Sequence, residues 1–135
     1  MMGLESPEGH RHIRRFMADR IEQGVQEGKD KLARNPDGAS RAVLVYDAFI
    51  TLPTGKVDAL IVDIREYDSP ASSLLMAVPY RAASSPQGFA VHSPKFLSFT
   101  GAKPDYQVLG TAFFQGVDSH DKAAPVWTLH LDESV

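Results

Sequence analysis

Two neighbouring segments, 41–52 (RAVLVYDAFITL) and 56–67 (KVDALIVDIREY), have strand periodicity but carry apolar side chains on both faces. In the first, Leu44, Tyr46, Ala48 and Ile50 point one way, and Val43, Val45 and Phe49 the other. In the second, Ala59 and Ile61 oppose Leu60, Val62 and Ile64. A third segment, 73–82, sets Leu74, Met76 and Val78 against Leu75 and Ala77. An antiparallel strand with one wet face alternates apolar and polar residues. These do not, so both faces of the sheet need a cover.

Further strands are expected near 88–93, 106–117 and 125–132. Pro53-Thr54-Gly55 is a tight connection, with glycine available for positive φ. Ser84-Ser85-Pro86-Gln87-Gly88 and the polar stretch 118–124 are further turns. Such short connections impose antiparallel neighbours. Segment 94–104 has no clear period and is expected to cross between strands. Pro79 implies an edge or a bulge in the third strand.

The cover on one side should come from the N-terminal region. Ser6-Pro7-Glu8 has the form of a helix start, and Asn35-Pro36-Asp37-Gly38 that of a stop. One helix, about Glu8 to Arg34, is expected between them. Ile13, Phe16, Met17, Ile21, Val25 and Leu32 fall in one arc at 100° per residue. Gly24 and Gly28 lie near its middle, where each costs up to about 1 kcal/mol against alanine. Their presence implies that something packs directly on the helix there.

The expected fold is therefore α+β. One long N-terminal helix (about 8–34) packs on a curved, mainly antiparallel sheet of about six strands (about 41–132). The 135 residues match the size of a single domain, residues 1–135. One helix about 10 Å wide covers only part of one face. Either the sheet curls into a partial barrel around a pocket, or its outer face meets a second copy. Large exposed apolar patches are rare on monomers, and two-fold homodimers are the commonest assembly. A curved sheet dimerised through its outer face is favoured.

The chemistry is sparse. The chain has no cysteine, which excludes disulfide frameworks, zinc ribbons and thiol nucleophiles. There is no signal-like apolar run at the N-terminus and no stretch near the ~18 apolar residues of a spanning helix. A cytoplasmic protein with no membrane partner is expected. Net charge is −3. A nucleic-acid partner is not expected, because the basic run His10-Arg11-His12-Ile13-Arg14-Arg15 has acids close behind it and no aromatic stacking platform. No phosphate loop, nucleophile elbow or calcium loop occurs, and Asp118-Ser119-His120-Asp121 is too short a ligand set. No cofactor or metal is expected, and no catalytic residue is assigned.

Six residues sit where polar groups are unusual. Asp47 and Asp63 interrupt apolar strands. A three-residue connection at 53–55 would place them on one face beside Arg65; a two- or four-residue connection would oppose them. Arg20 falls within the apolar helix arc, where it can bind an anion, pair with either aspartate, or lay its stem on the core. His92 and His130 lie in expected strands and could line a pocket with Tyr46, Tyr80 or Tyr106. Arg20, Tyr46, Asp47, Asp63, His92 and His130 are thus the ligand-pocket candidates. The expected function is a non-catalytic, dimeric interaction module. The alternative is a small-molecule-binding protein or enzyme with its pocket between the helix and the curved sheet.

Overall fold

The computed structural model describes residues 1–135. Seven strands and three helices follow in the order β1 (Met2–Glu5), β2 (Arg11–Arg14), α1 (Ile21–Arg34), β3 (Arg41–Leu52), β4 (Gly55–Glu66), β5 (Ser72–Arg81), β6 (Ala90–Val91), β7 (Lys95–Thr100), α2 (Tyr106–Asp118) and α3 (Ala123–His130). All strands join one curled antiparallel sheet in the order β2-β1-β3-β4-β5-β6, with β7 also on β5. The fold is α+β, as the periodicity implies.

The N-terminal region departs from expectation. Residues 2–14 form a β-hairpin, and the helix spans 14 residues rather than 8–34. The reason lies at Ser6-Pro7-Glu8-Gly9. Serine, proline at the second position and glycine at the fourth also make a type I turn. Here Gly9 N donates to Ser6 O at 2.9 Å, and Gly9 takes φ +85°. Serine and proline open a turn and a helix alike; the glycine decides. Ile13 and Met17, assigned to the buried arc, are 69% and 88% exposed.

Ile21, placed in the same arc, is 75% exposed, and Arg20 precedes the helix instead of lying within it; the helix stop and the buried glycines are as expected. Asn35 caps α1 in the left-handed conformation, and its amide brackets Ala39 with two 2.9 Å bonds. Gly24, Gly28 and Leu32, spaced four apart, form the buried ridge of α1. A Cβ on Gly28 would lie 2.7 Å from Leu44 Cδ1, and one on Gly24 3.2 Å from Phe16 O. The close approach implied by the glycines is thus present. Leu32 and Leu44 are almost wholly buried beside Met2, Leu4 and Ala42. Each such side chain contributes about 2 kcal/mol from burial.

The C-terminal region departs further. Segment 106–117 and residues 125–130 of segment 125–132, expected as strands, are helical, and Leu131 alone forms a β-bridge, to Val91. Asp105 decides the first: its carboxylate accepts from Gln107 N and Val108 N, both at 3.1 Å. Aspartate at this position satisfies donors that a helix start leaves unpaired. Pro125 falls in the first turn of α3, where its missing N–H costs nothing. Phe113 and Phe114 meet Trp127 edge-on at 5.5 and 5.4 Å and join the two helices. The expected strand 88–93 contracts to two residues, and the uncertain 94–104 segment supplies β7.

Pro79 is neither at a sheet edge nor in a bulge. It lies between the stretches of β5 that pair with β7 and β6. His92 N donates to Pro79 O at 2.9 Å, and no return donor is needed.

Replacing Gly28 with leucine should destabilise the protein by about 1–3 kcal/mol, because Leu44 cannot retreat within a packed core. Chemical denaturation measures this directly. A midpoint equal to that of the unsubstituted protein would refute the contact.

Candidate functional site

Register decides which polar residues meet. The β3–β4 loop has two residues, Pro53 and Thr54, with Leu52 opposite Gly55. Asp47 therefore pairs with Leu60, and Asp63 with Leu44. Side chains alternate along a strand, so the two aspartates lie on opposite faces. A carboxylate pair is ruled out.

On the inner face, packed by α1, Asp63 is held by Arg65 through bonds of 3.0 and 3.3 Å. Tyr46 lies on the same face under Lys29 Nζ, 4.9 Å from its ring centre. Tyr67 donates its hydroxyl to Leu32 O, and burial raises its pKa. Arg20 is the exposed residue preceding α1. With Tyr46 and Asp47 it borders a groove of about 330 Å³ between α1 and the β3 edge, whose other walls are largely apolar. Three of the six candidates thus come together. His130 does not join them: it is exposed in α3, edge-on to Phe89 at 5.2 Å.

The outer face has three zones. At one end Arg11, Glu5, Arg41 and Glu66 alternate across four strands. Glu5 pairs with Arg11 at 2.7 Å and Arg41 at 3.8 Å, and Arg41 reaches Glu66 at 3.5 Å. The Arg11 hydrogen bond holds the Glu5 carboxyl below its usual range. The middle zone is apolar. One row crosses six strands as Ile13, Gly3, Val43, Ile64, Leu74 and Phe99. The next runs through Val45, Val62, Met76 and Phe96. On β5 this zone is buried, and Phe96 stacks on Tyr106 of α2 at 4.9 Å. On β3 and β4 it is not: Val43, Val45, Val62 and Ile64 are half-buried, and Leu60 is 41% exposed.

The third zone lies at the β3–β4 tip. Tyr80 reaches across β4 and donates to Asp47 Oδ1 at 2.9 Å. Burial, that bond and the charges of Asp47 and Asp58 push its pKa up to about 12. Beside it, a cleft of about 560 Å³ opens between the tip and the 82–92 loop. His92, only 3% exposed, lines it. Its Nδ1 lies 2.8 Å from Asp132 O, and a carbonyl can only accept, so Nδ1 carries the proton. Asp132 in turn accepts from Ser134 and from Arg81, and is held down to about 2.

Sequence reasoning picked out Asp47 and His92 and offered Tyr80 as a neighbour of His92, but did not place Asp58, Lys56 and Arg81 around them. Only Tyr80 had a detectable signal, as an aromatic in an apolar strand. Two arginines of the basic run near the N-terminus are paired, Arg11 with Glu5 at 2.7 Å and Arg14 with Asp37 at 3.2 Å. No three His, Asp or Glu side chains converge as a metal site, and His120 Nδ1 instead accepts from Ala123 N. No helix is long and apolar enough to cross a membrane. No protein-family model, curated protein or solved structure matches this chain.

The raised Tyr80 pKa carries a sign. The fold favours the protonated phenol, so this contribution to stability is complete below about pH 10 and is lost as pH rises towards about 12. An ultraviolet titration of the four tyrosines should show the Tyr80 step latest, towards pH 12, and Asp47→Asn should move that step lower. Coincident steps near pH 10 in the folded protein would contradict the contact.

Proposed function

We propose that this chain acts as a dimeric interaction module, two copies meeting through the outer faces of β3 and β4. The observation that carries this reading is the unfinished cover of the sheet. The C-terminal helices shield the β5 side, whereas Val43, Val45, Leu60, Val62 and Ile64 keep apolar surface in water. Gly3 adds a recess of about 320 Å³ between Ile13 and Val43, suited to an apolar knob. The ion-pair ladder beside the patch is neutral and internally satisfied. Partly exposed pairs of this kind add little stability, but a copy approaching them leaves no charge without a partner.

A two-fold interface brings the same patch against itself, and a patch of valine, leucine and isoleucine is self-complementary. A small-molecule role is the second reading. It rests on the convergence of Arg20, Tyr46 and Asp47 at the groove beside α1, and a ligand bound there would raise the melting temperature.

Leu60→Glu places a charge in the centre of the patch without disturbing the inner core. Light scattering after gel filtration should give a dimer for the unsubstituted chain and a monomer for the variant. A monomer in both cases would overturn the dimer.

A further inference from the structure

We propose that the cleft at the β3–β4 tip binds a small, neutral, polyhydroxylated molecule of monosaccharide or inositol size, one hydroxyl of which donates to His92 Nε2. The site belongs to one chain and does not depend on the dimer.

Imidazole is seldom buried as deeply as that of His92 without both nitrogens being accounted for. Nδ1 is committed to Asp132 O. Nε2 has no protein partner, yet no buried side-chain nitrogen or oxygen lacks one. The little exposure that His92 retains therefore includes Nε2. Because His92 lines the cleft, that nitrogen meets solvent there. With the proton on Nδ1, neutral Nε2 is an acceptor waiting for a donor.

The remaining groups narrow the ligand class. Several lining side chains are already engaged. Tyr80 donates to Asp47, Arg81 holds Gly88 O and Asp132, and Ser85 Oγ donates to Gln87. Besides Nε2, three side chains are uncommitted to any hydrogen bond or ion pair: the Asp58 carboxylate, the Lys56 ammonium and the Ser84 hydroxyl. Lys56 lies over the Phe49 ring at 4.3 Å and has no acidic partner. The uncommitted set thus has two acceptors, one donor, one group that does both, and no net charge. An anion would face Asp58, and a cation would face Lys56. Hydroxyl groups both donate and accept, so one polyol can meet all four. Phe49, 60% exposed, and Tyr80 supply apolar surface for the C–H face of such a ring. The volume lies within the roughly 300–1,000 Å³ of small-molecule sites.

The test is an NMR titration of the ¹⁵N-labelled full chain with myo-inositol and with D-glucose, using inorganic phosphate and ethylamine as charged probes. At least one polyol should shift resonances confined to residues 56–58, 80–85 and 92, and should move the His92 Nε2 signal. His92→Phe should weaken that binding roughly tenfold, the effect of one lost hydrogen bond at a buried site. Asp58→Asn, at a half-exposed position, should weaken it several-fold with the fold intact, and it decides the matter if the histidine variant does not fold. The proposal is overturned if neither polyol perturbs the cleft, if phosphate or ethylamine does so in their place, or if a folded variant at either position binds as tightly as the unsubstituted chain.

Discussion

The two-residue connection at Pro53-Thr54 is the constraint on which the rest of the structure depends. It pairs twelve residues of β3 with twelve of β4 in one register. Every side-chain address on the sheet follows from it. Ala42, Leu44 and Tyr46 go to the helix side. Val43, Val45 and Asp47 go to the other. One residue more in the loop would exchange the faces of β4 relative to β3, bury Glu66 or Asp58 against α1, and expose Ile61. Such a slip costs several buried side chains at about 1.5–3 kcal/mol each, far beyond any gain available in the loop itself.

With register set, the inner face is closed by proximity. α1 is only 14 residues long and covers the β1–β3 half of the sheet. It does so by bringing its backbone, at Gly24 and Gly28, against Phe16 and Leu44. Glycine weakens an isolated helix, so the local cost at these positions is offset by the tertiary contact. Further along the same face, the core is built from small residues, Ala59 and Ala77, with Ile61 between them. Small side chains at the sheet centre are covered by their taller neighbours and need no second helix.

The outer face is organised differently, and its gradient is the basis for function. A neutral ladder of arginine and glutamate closes one end. Bare valine, leucine and isoleucine occupy the middle. A cluster of hydroxyl, carboxylate and imidazole groups stands at the hairpin tip. Polar groups at the tip are held by one another: Tyr80 by Asp47, Arg81 by Asp132, and His92 by a backbone carbonyl. Preorganisation of this kind reduces the entropy lost when a ligand arrives.

From the sequence alone, the α+β class, the strands at 41–52, 56–67 and 73–82, the close approach at Gly24 and Gly28, the helix stop at Asn35 and the two-sided apolar character of the sheet were all legible. These features are local or periodic, and side-chain alternation or backbone preference is enough to carry them. Ser6-Pro7-Glu8 was compatible with a helix and a turn; Gly9, at φ +85°, selected the turn, and the pairing of β1 with β3 holds the hairpin in the sheet. Segments 106–118 and 123–130 are rich in valine, phenylalanine and tryptophan, which favour strands, yet Asp105 and the packing of Trp127 on Phe113 and Phe114 made them helices. Side-chain preference for strands is weak and yields to tertiary context. The candidate site divided along the same line. His92 and Asp47 stood out as polar residues in apolar strands. Their neighbours lie on two separate stretches of chain, Lys56 and Asp58 on β4 and Tyr80 and Arg81 on β5. Only the register of β3, β4 and β5 placed them together, because the face a strand residue occupies is set by its partner strand and not by its own sequence.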